Sequence, residues 1–268
     1  RPLREERATM APWIEHKKNM NVPAAHLLSR AAAARWRPGL PDSGRHGEVF
    51  ASSREASGAG LALALARDAL LHAARGEVAE AEDRRCVLWV QDRAAIRLGG
   101  RPYRPGLPEW LQGRLLHVAA DKPEDALFAL EEGLRCRDLA CVIGEIAGNP
   151  RALDFTASRR LTLAAERHGV PLWLVRLDAA RDLSSARMRW EVAAAPSAVP
   201  AWDARAPGRP AWRAALFRAR NHPPGEWTLD DHGQSLTVRH PPKSAPKSGT
   251  PYPVGLAFAA GARSLATG

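Results

Sequence analysis

The chain is poor in cysteine, and this excludes a disulfide-stabilised fold. Its 268 residues include only three cysteines, an odd number that does not make a closed set of disulfides. All three fall in segments predicted to be core elements, so we expect reduced, buried thiols of the kind found in cytosolic proteins. They are Cys86, Cys136 and Cys141.

Long hydrophobic runs are also lacking. The most apolar stretch, residues 61–71, is interrupted by Arg67 and Asp68 and is shorter than the roughly 18–20 residues that span a bilayer. The charged amino end is not followed by the apolar segment of a secretory signal. We therefore expect a cytoplasmic protein that has no membrane partner.

Lysine is scarce, but arginine is not. The chain has 39 basic side chains against 29 acidic ones, a formal net charge of +10, and only five of the 39 are lysines. Residues 1–46 and 200–268 each carry nine basic and four acidic side chains, whereas residues 47–199 carry 21 of each. The excess therefore lies on the two flanks. It favours a polyanionic partner such as nucleic acid, although an Ala- and Arg-rich genomic composition explains it equally well.

Apolar runs alternate with helical patterns through the neutral middle of the chain. The runs are apolar on both faces, as are the strands of a parallel sheet that helices cover on both sides. The sequence therefore predicts an α/β fold with a mainly parallel sheet. The predicted strands are residues 46–50, 86–90, 114–119, 139–143 and 171–177.

Three helices are predicted between these strands. The first covers residues 61–74, after a polar loop at 51–60. The second begins at Asp121, which can form a capping box with Glu124, and the third begins at Asn149 and ends before Gly169. The inner face of the second helix is formed by Leu127, Leu130 and Leu134.

Beyond residue 180 the pattern changes to short strands at 188–193, 212–219, 226–229 and 235–239, which predict an antiparallel extension. The last segment is rich in Pro, Gly and Ser, a composition typical of disorder. We divide the chain into a basic amino-terminal segment, a core, a Trp/Arg-rich β extension and a disordered tail. Their bounds are 1–40, 41–195, 196–240 and 241–268.

The loop after the first predicted strand lies where a phosphate-binding loop would be. Such a loop needs a lysine that reaches the phosphates, and no lysine occurs between Lys18 and Lys122. The remaining candidates for nucleotide binding are Arg54, Gly58 and Gly60, together with Glu145 just after a buried strand. The alternatives are a structural loop and a strand-end carboxylate that pairs with Arg151 or caps a turn.

No other catalytic or metal-binding pattern is evident. The histidines show no metal-ligand spacing, and His117 is interpreted as a hydrogen-bonded core residue. Asp178, Asp182 and residues 184–185 have no histidine nearby in the sequence and are interpreted as a polar loop.

Arginines and tryptophans alternate between residues 181 and 227. Stacking combined with charge neutralisation is how single-stranded nucleic acid is held without sequence readout. An equally good interpretation is that Trp190, Trp212 and Trp227 point into a small β core while the arginines are solvated.

Eight segments follow one another from about residue 40 to about residue 230: HGEVF (46–50), CVLWV (86–90), RPYRPGL (101–107), ALFALEE (126–132), LACVIGEI (139–146), LDFTASRRL (153–161), ARMRW (186–190) and PGEWTL (224–229). Together they resemble the ImuA family, RecA-like accessory proteins of bacterial SOS mutagenesis.

The resemblance implies a RecA-type core that has lost its ATPase residues and therefore has neither a cofactor nor enzymatic activity. Gly144 stands where the magnesium-binding aspartate is expected, and residues 91–93 lie where the catalytic glutamate would be. The implied partners are ImuB, which is a polymerase-like protein without polymerase activity, and an error-prone C-family DNA polymerase. RecA and single-stranded DNA are further candidates. The implied role is support of lesion bypass after DNA damage, with the protein at the nucleoid when active.

By position in a RecA-like fold, the DNA-facing loops correspond to residues 148–151 and 179–187. Arg151, Arg181 and Arg187 are accordingly the DNA-binding candidates. The region beyond the core is implied in partner contact, with the candidates Trp202, Trp212, Arg213, Arg218 and Trp227. Three alternatives stay open: a direct single-stranded DNA-binding module, a degenerate RecA-like ATPase and an SOS cell-division inhibitor.

Overall fold

One sheet with helices on both faces runs through the part of the chain that the computed structural model describes, which is residues 45–74, 85–220, 222–233 and 235–239. The strands are β1 His46–Ala51, β2 Cys86–Asp92, β3 Leu115–Ala120, β4 Leu139–Ala147, β5 Leu172–Leu177, β6 Met188–Ala194, β7 Ala211–Ala219, β8 Gly225–Asp231 and β9 Leu236–Val238. The helices are α1 Ser57–Ala74, α2 Arg93–Gly99, α3 Pro123–Arg135 and α4 Phe155–His168.

The strand order is β3-β2-β4-β5-β1-β6-β7-β8-β9. All neighbours from β3 to β6 are parallel, whereas β7, β8 and β9 join antiparallel. The predicted α/β fold is confirmed, and it is consistent with the RecA-like core that the resemblance implies. The β extension continues the same sheet, and residue 195 lies in the loop between β6 and β7.

Each face of the sheet has its own core. Helices α3 and α4 cover one face, where Leu130, Leu134 and Leu161 pack on side chains of β2, β4 and β5. Helix α1 covers the other face, where Leu61 and Leu65 pack on β1, β5, β6 and β7. Because the central strands are covered on both sides, their sequences are apolar at nearly every position.

None of the three predicted helix starts is matched by the structure, and α1 begins at Ser57 rather than at residue 61. Helix α3 begins at Pro123 without a side-chain cap, because Asp121 pairs with Arg93 instead. Helix α4 begins at Phe155, where the Asp154 carboxylate accepts a hydrogen bond from the Ala157 amide at 2.7 Å. The predicted end at Gly169 is confirmed, since this residue has a left-handed conformation with φ 75°.

Three further predictions concern the cysteines, the membrane and the two ends of the chain. The expectation of buried thiols fails for Cys136, which is exposed after α3, whereas Cys141 is buried in β4. Among the described helices, none is long and apolar enough to cross a membrane. The predicted amino-terminal segment 1–40 and the predicted disordered tail 241–268 lie outside the described residues.

Candidate functional site

The loop at the phosphate-binding position is short, because α1 begins earlier than predicted. Residues 52–56 separate β1 from Ser57, so Gly58 and Gly60 lie inside the helix. A Cβ on Gly58 would lie 2.7 Å from the Ala51 Cβ, and one on Gly60 would lie 3.2 Å from a ring carbon of Trp212. These glycines therefore permit close packing of the helix on the sheet.

A carboxylate of the chain itself binds this loop. Asp178, directly after β5, accepts a hydrogen bond from the Ser53 amide at 2.9 Å. Hydrogen bonds from Ser53, and more weakly the charge of Arg54, hold the pKa of Asp178 below its ordinary value. Asp178 has φ 49°, a left-handed conformation that aspartate tolerates better than most residues. The Ser53 amide of this loop is thus engaged within the chain.

Neighbouring residues also anchor the loop. Glu55 accepts a hydrogen bond from the Ala194 amide at 2.9 Å, which ties the loop to the end of β6. Arg54 is exposed. The Glu55 and Asp178 contacts together fix the loop to the strands on both sides of β1.

Glu145 is buried inside β4, because this strand runs to Ala147 rather than ending before it. Its carboxylate accepts a hydrogen bond from Trp89 Nε1 at 2.6 Å, so its partner is neither Arg151 nor a turn. Burial raises the pKa of Glu145, although hydrogen bonds from Trp89 and Gln91 oppose the shift. These contacts describe a structural carboxyl group held within the sheet.

The position of the expected magnesium aspartate cannot accept a side chain without rearrangement. A Cβ on Gly144 would lie 2.8 Å from Leu174 Cδ1 and 3.0 Å from Leu130 Cδ2. The described residues also contain no group of three or more His, Cys, Asp or Glu side chains that could hold a metal ion. His117, interpreted from sequence as a core residue, is half-buried and hydrogen-bonds Gln91 at 2.9 Å.

Two of the three predicted DNA-binding arginines are held by carboxylates. Arg181 pairs with Glu191, and its guanidinium lies 4.0 Å from the centre of the Phe217 ring. Arg187 donates to Glu166 at 2.6 Å, and this hydrogen bond lowers the pKa of the glutamate. Arg151 is exposed and has no ion-pair partner among the described residues. The three arginines therefore do not form one open cationic surface.

The two loops that carry these arginines are joined by Asn149, which was predicted to start a helix. Its side chain accepts from the Ala180 amide at 2.7 Å and donates to the Ala180 carbonyl and the Asp182 carboxylate, at 3.0 and 2.8 Å. This clamp fixes the loop after β4 to the long connection between β5 and β6.

Beneath that connection lies a buried ionic cluster that sequence reasoning missed. Glu48 of β1 pairs with Arg189 of β6 at 2.6 Å and lies 3.9 Å from Arg176 of β5. Ser184 donates to Glu48 at 2.7 Å, and Asp182 lies 3.4 Å from Arg176. Charged residues within otherwise apolar strands were the available signal, because a buried charge needs a partner.

The tryptophans of the Trp/Arg-rich segment divide between core and surface. Trp212 is buried against α1, and Trp227 is half-buried with its ring centre 6.0 Å from that of Trp190. The interpretation of these rings as a β core is therefore confirmed. Trp202, by contrast, is 80% exposed.

The two arginine candidates of that segment lie at the surface. Arg213 is exposed and lies 3.6 Å from Glu226, and Arg218 is exposed on β7. Of the five partner-binding candidates, Trp202, Arg213 and Arg218 are thus placed where a partner can reach them.

No family model matches the chain, but two curated proteins are similar to it. Over 155 residues, the chain is 34% identical to Protein ImuA of two Caulobacter vibrioides strains, NA1000 / CB15N and ATCC 19089 / CIP 103742 / CB 15. The match covers 53% of this chain and spans 59% of the length of these curated relatives. The chain is thus similar to these ImuA proteins over about half of its length.

Proposed function

We propose that this chain is a non-enzymatic accessory protein of SOS-induced, error-prone translesion DNA synthesis. In this role it bridges an ImuB-type polymerase-like protein to damaged DNA, with RecA and an error-prone C-family polymerase as further partners. The similarity to the Caulobacter ImuA proteins supports a role in translesion DNA synthesis. The loop after β1 and the surroundings of Gly144 support a role without catalysis.

The observation that carries the proposal is the Asp178 carboxylate bound to the loop after β1. A phosphate bound to this loop would compete with the Asp178 carboxylate, and the loop has no lysine to offset the repulsion between the two negative groups. Gly144, which is enclosed by Leu130 and Leu174, also has no side chain that could bind a metal ion. These features disfavour the degenerate-ATPase alternative, which calorimetric titration with ATP tests directly.

Partner contact is assigned to the exposed part of the Trp/Arg-rich segment. Trp202 presents a large aromatic surface, and tryptophan and arginine are the residues most enriched at the energetic centres of protein interfaces. Arg213 and Arg218 are the exposed cations of β7. Trp212 and Trp227 pack in the core on the α1 face of the sheet.

The test is capture of the full chain by a tagged ImuB-type protein. Deletion of residues 200–268 is a poor test, because it removes β7, β8 and β9 from the sheet. Point variants are sharper: Trp202→Ala, alone and combined with Arg213→Glu and Arg218→Glu, should weaken capture at least tenfold. The matched control is Phe128→Ala, which removes an aromatic ring that is 66% exposed on α3.

Undiminished capture of the triple variant would refute the assignment of this surface. Equal losses for the triple variant and for Phe128→Ala would do the same, since the effect would then not be specific to the segment.

A further inference from the structure

We propose that a basic surface at the carboxyl end of β2 binds the backbone of single-stranded DNA. This surface, called here the α2 basic surface, consists of Arg97, Arg101, Tyr103 and Arg104. Its biological role depends on the proposed function, since it names the DNA-contacting part of the accessory protein. Its binding chemistry is testable on the isolated chain.

The segment is fixed in place by residues of β2. Asp92 caps α2 by accepting a hydrogen bond from the Ala95 amide at 2.6 Å. Gln91 donates to the carbonyl of Gly100 at 2.9 Å, and Gly100 turns the chain with φ 77°. Because both contacts come from the last residues of a buried strand, the arginines that follow are presented from a rigid base.

In the part of the chain that the structure describes, no ion pair binds the arginines of this surface, although the charge of Arg97 acts on the buried Asp92 at the end of β2. Residues 93–108 contain no Asp or Glu, and the side chains of Arg97, Arg101 and Arg104 are exposed without an ion-pair partner among the described residues. Arg93 of the same helix pairs with Asp121 at 2.6 Å and is therefore left out. The contrast is with Arg181 and Arg187, whose guanidinium groups are already bound to carboxylates.

The local electrostatic field is consistent with this arrangement. The pKa of His117, on neighbouring β3, is lowered first by burial and then by the charges of Arg101 and Arg104. Arg151 follows β4, the neighbour of β2, and the carboxyl ends of these parallel strands share one edge of the sheet.

An exposed aromatic ring accompanies the arginines of this surface. Tyr103 is 73% exposed and stands between Arg101 and Arg104 in the sequence. Aromatic rings among backbone-neutralising cations are the arrangement that holds single-stranded nucleic acid, because unpaired bases stack on the ring while the arginines contact phosphates.

The experiment measures binding of a fluorescent oligothymidine by anisotropy over a series of salt concentrations. The charge variant carries Arg97→Gln, Arg101→Gln and Arg104→Gln. The matched control carries Arg137→Gln, Arg159→Gln and Arg167→Gln, which remove the same charge from exposed positions on α4 and in the loop between α3 and β4. If all three arginines contact phosphates, the negative slope of log affinity against log salt should become less steep by about 2 in the charge variant and stay unchanged in the control.

Two tyrosine variants test the stacking. Tyr103→Ala should weaken binding by roughly 5- to 150-fold, and Tyr103→Phe should retain it, because the ring rather than the hydroxyl carries the contact. Circular dichroism and thermal unfolding of all variants establish that the fold is kept.

Equal affinity and slope in the wild-type protein and the charge variant would overturn the proposal, as would the absence of binding by the wild-type protein. Equal losses in the charge variant and its control would assign the effect to net charge and overturn it too. If the charge variant binds DNA as the wild-type protein does but is no longer captured by the ImuB-type protein, the surface is a docking site for an acidic protein instead. Failure of the DNA assay with intact capture leaves the accessory function standing and refutes only this surface.

Discussion

Acidification should destabilise this fold through one buried imidazole. His46, the first residue of β1, is 0% exposed, and its Nδ1 is hydrogen-bonded to Thr162 Oγ1 at 2.8 Å. Burial is the largest influence on its pKa, which is lowered from 6.5 to about 4. The charges around the ring are Glu48, Glu166, Arg187 and Arg189. The neutral imidazole is therefore the form that the folded protein accommodates.

The sign and size of the effect follow from linkage. The unfolded chain binds the proton more tightly, so the stability contributed by neutral His46 is complete above pH 6.5 and is lost as the pH falls to about 4. A shift of this size corresponds to about 3 kcal/mol in total, of which about 2 kcal/mol is lost by pH 5. Glu166 has a pKa lowered from its ordinary value of 4.5, so it stays ionised through most of this window.

The assay is urea unfolding at pH 7.5, 6 and 5, followed by tryptophan fluorescence, for the wild-type protein and for His46→Asn. Asparagine can replace the Nδ1 contact with Thr162 but does not titrate. The variant should be less stable at pH 7.5, and the difference between the two proteins should shrink by about 2 kcal/mol at pH 5. A difference that stays constant from pH 7.5 to 5 would refute the reasoning.

Two further predictions concern the buried polar groups of the sheet. Glu48→Gln should cost about 3–5 kcal/mol in the free energy of unfolding, because it leaves Arg189 buried without its counter-charge; Asp182→Asn, at a partly exposed site, should cost less, and equal costs in urea unfolding would contradict the assignment. Gly144→Asp should destabilise by roughly 3 kcal/mol or more, because its Cβ meets two leucines and its carboxylate is buried. Gly144→Ala separates the packing cost from the charge cost, and magnesium-dependent ATPase activity in a stable Gly144→Asp protein would contradict our account of this site.

Much of the fold could be predicted because its signals are local. The runs of β1, β2, β4 and β5 are short and mainly apolar, and the glycine after α4 ends a helix through its own backbone preference. Helix starts were less predictable. Asp121, Asn149 and Asp154 are all good capping residues by type, and only their tertiary partners decide that Asp154 caps α4.

The candidate site depended more on distant contacts. The absence of a phosphate-loop lysine was evident from the sequence, but the carboxylate that binds the loop is not, because Ser53 and Asp178 are 125 residues apart. The same holds for Arg181 and Arg187, which the sequence presents as free cations and the fold places against Glu191 and Glu166.

The sequence alone therefore determined the α/β class, the family resemblance and the loss of the phosphate-binding lysine, since each is a property of consecutive residues. Only the tertiary structure decided which arginines are exposed, which tryptophans form the core and that Glu48 meets Arg189. The physical reason is that burial and ion pairing depend on which strands become neighbours, and parallel strands such as β1 and β6 are brought together from positions 141 residues apart.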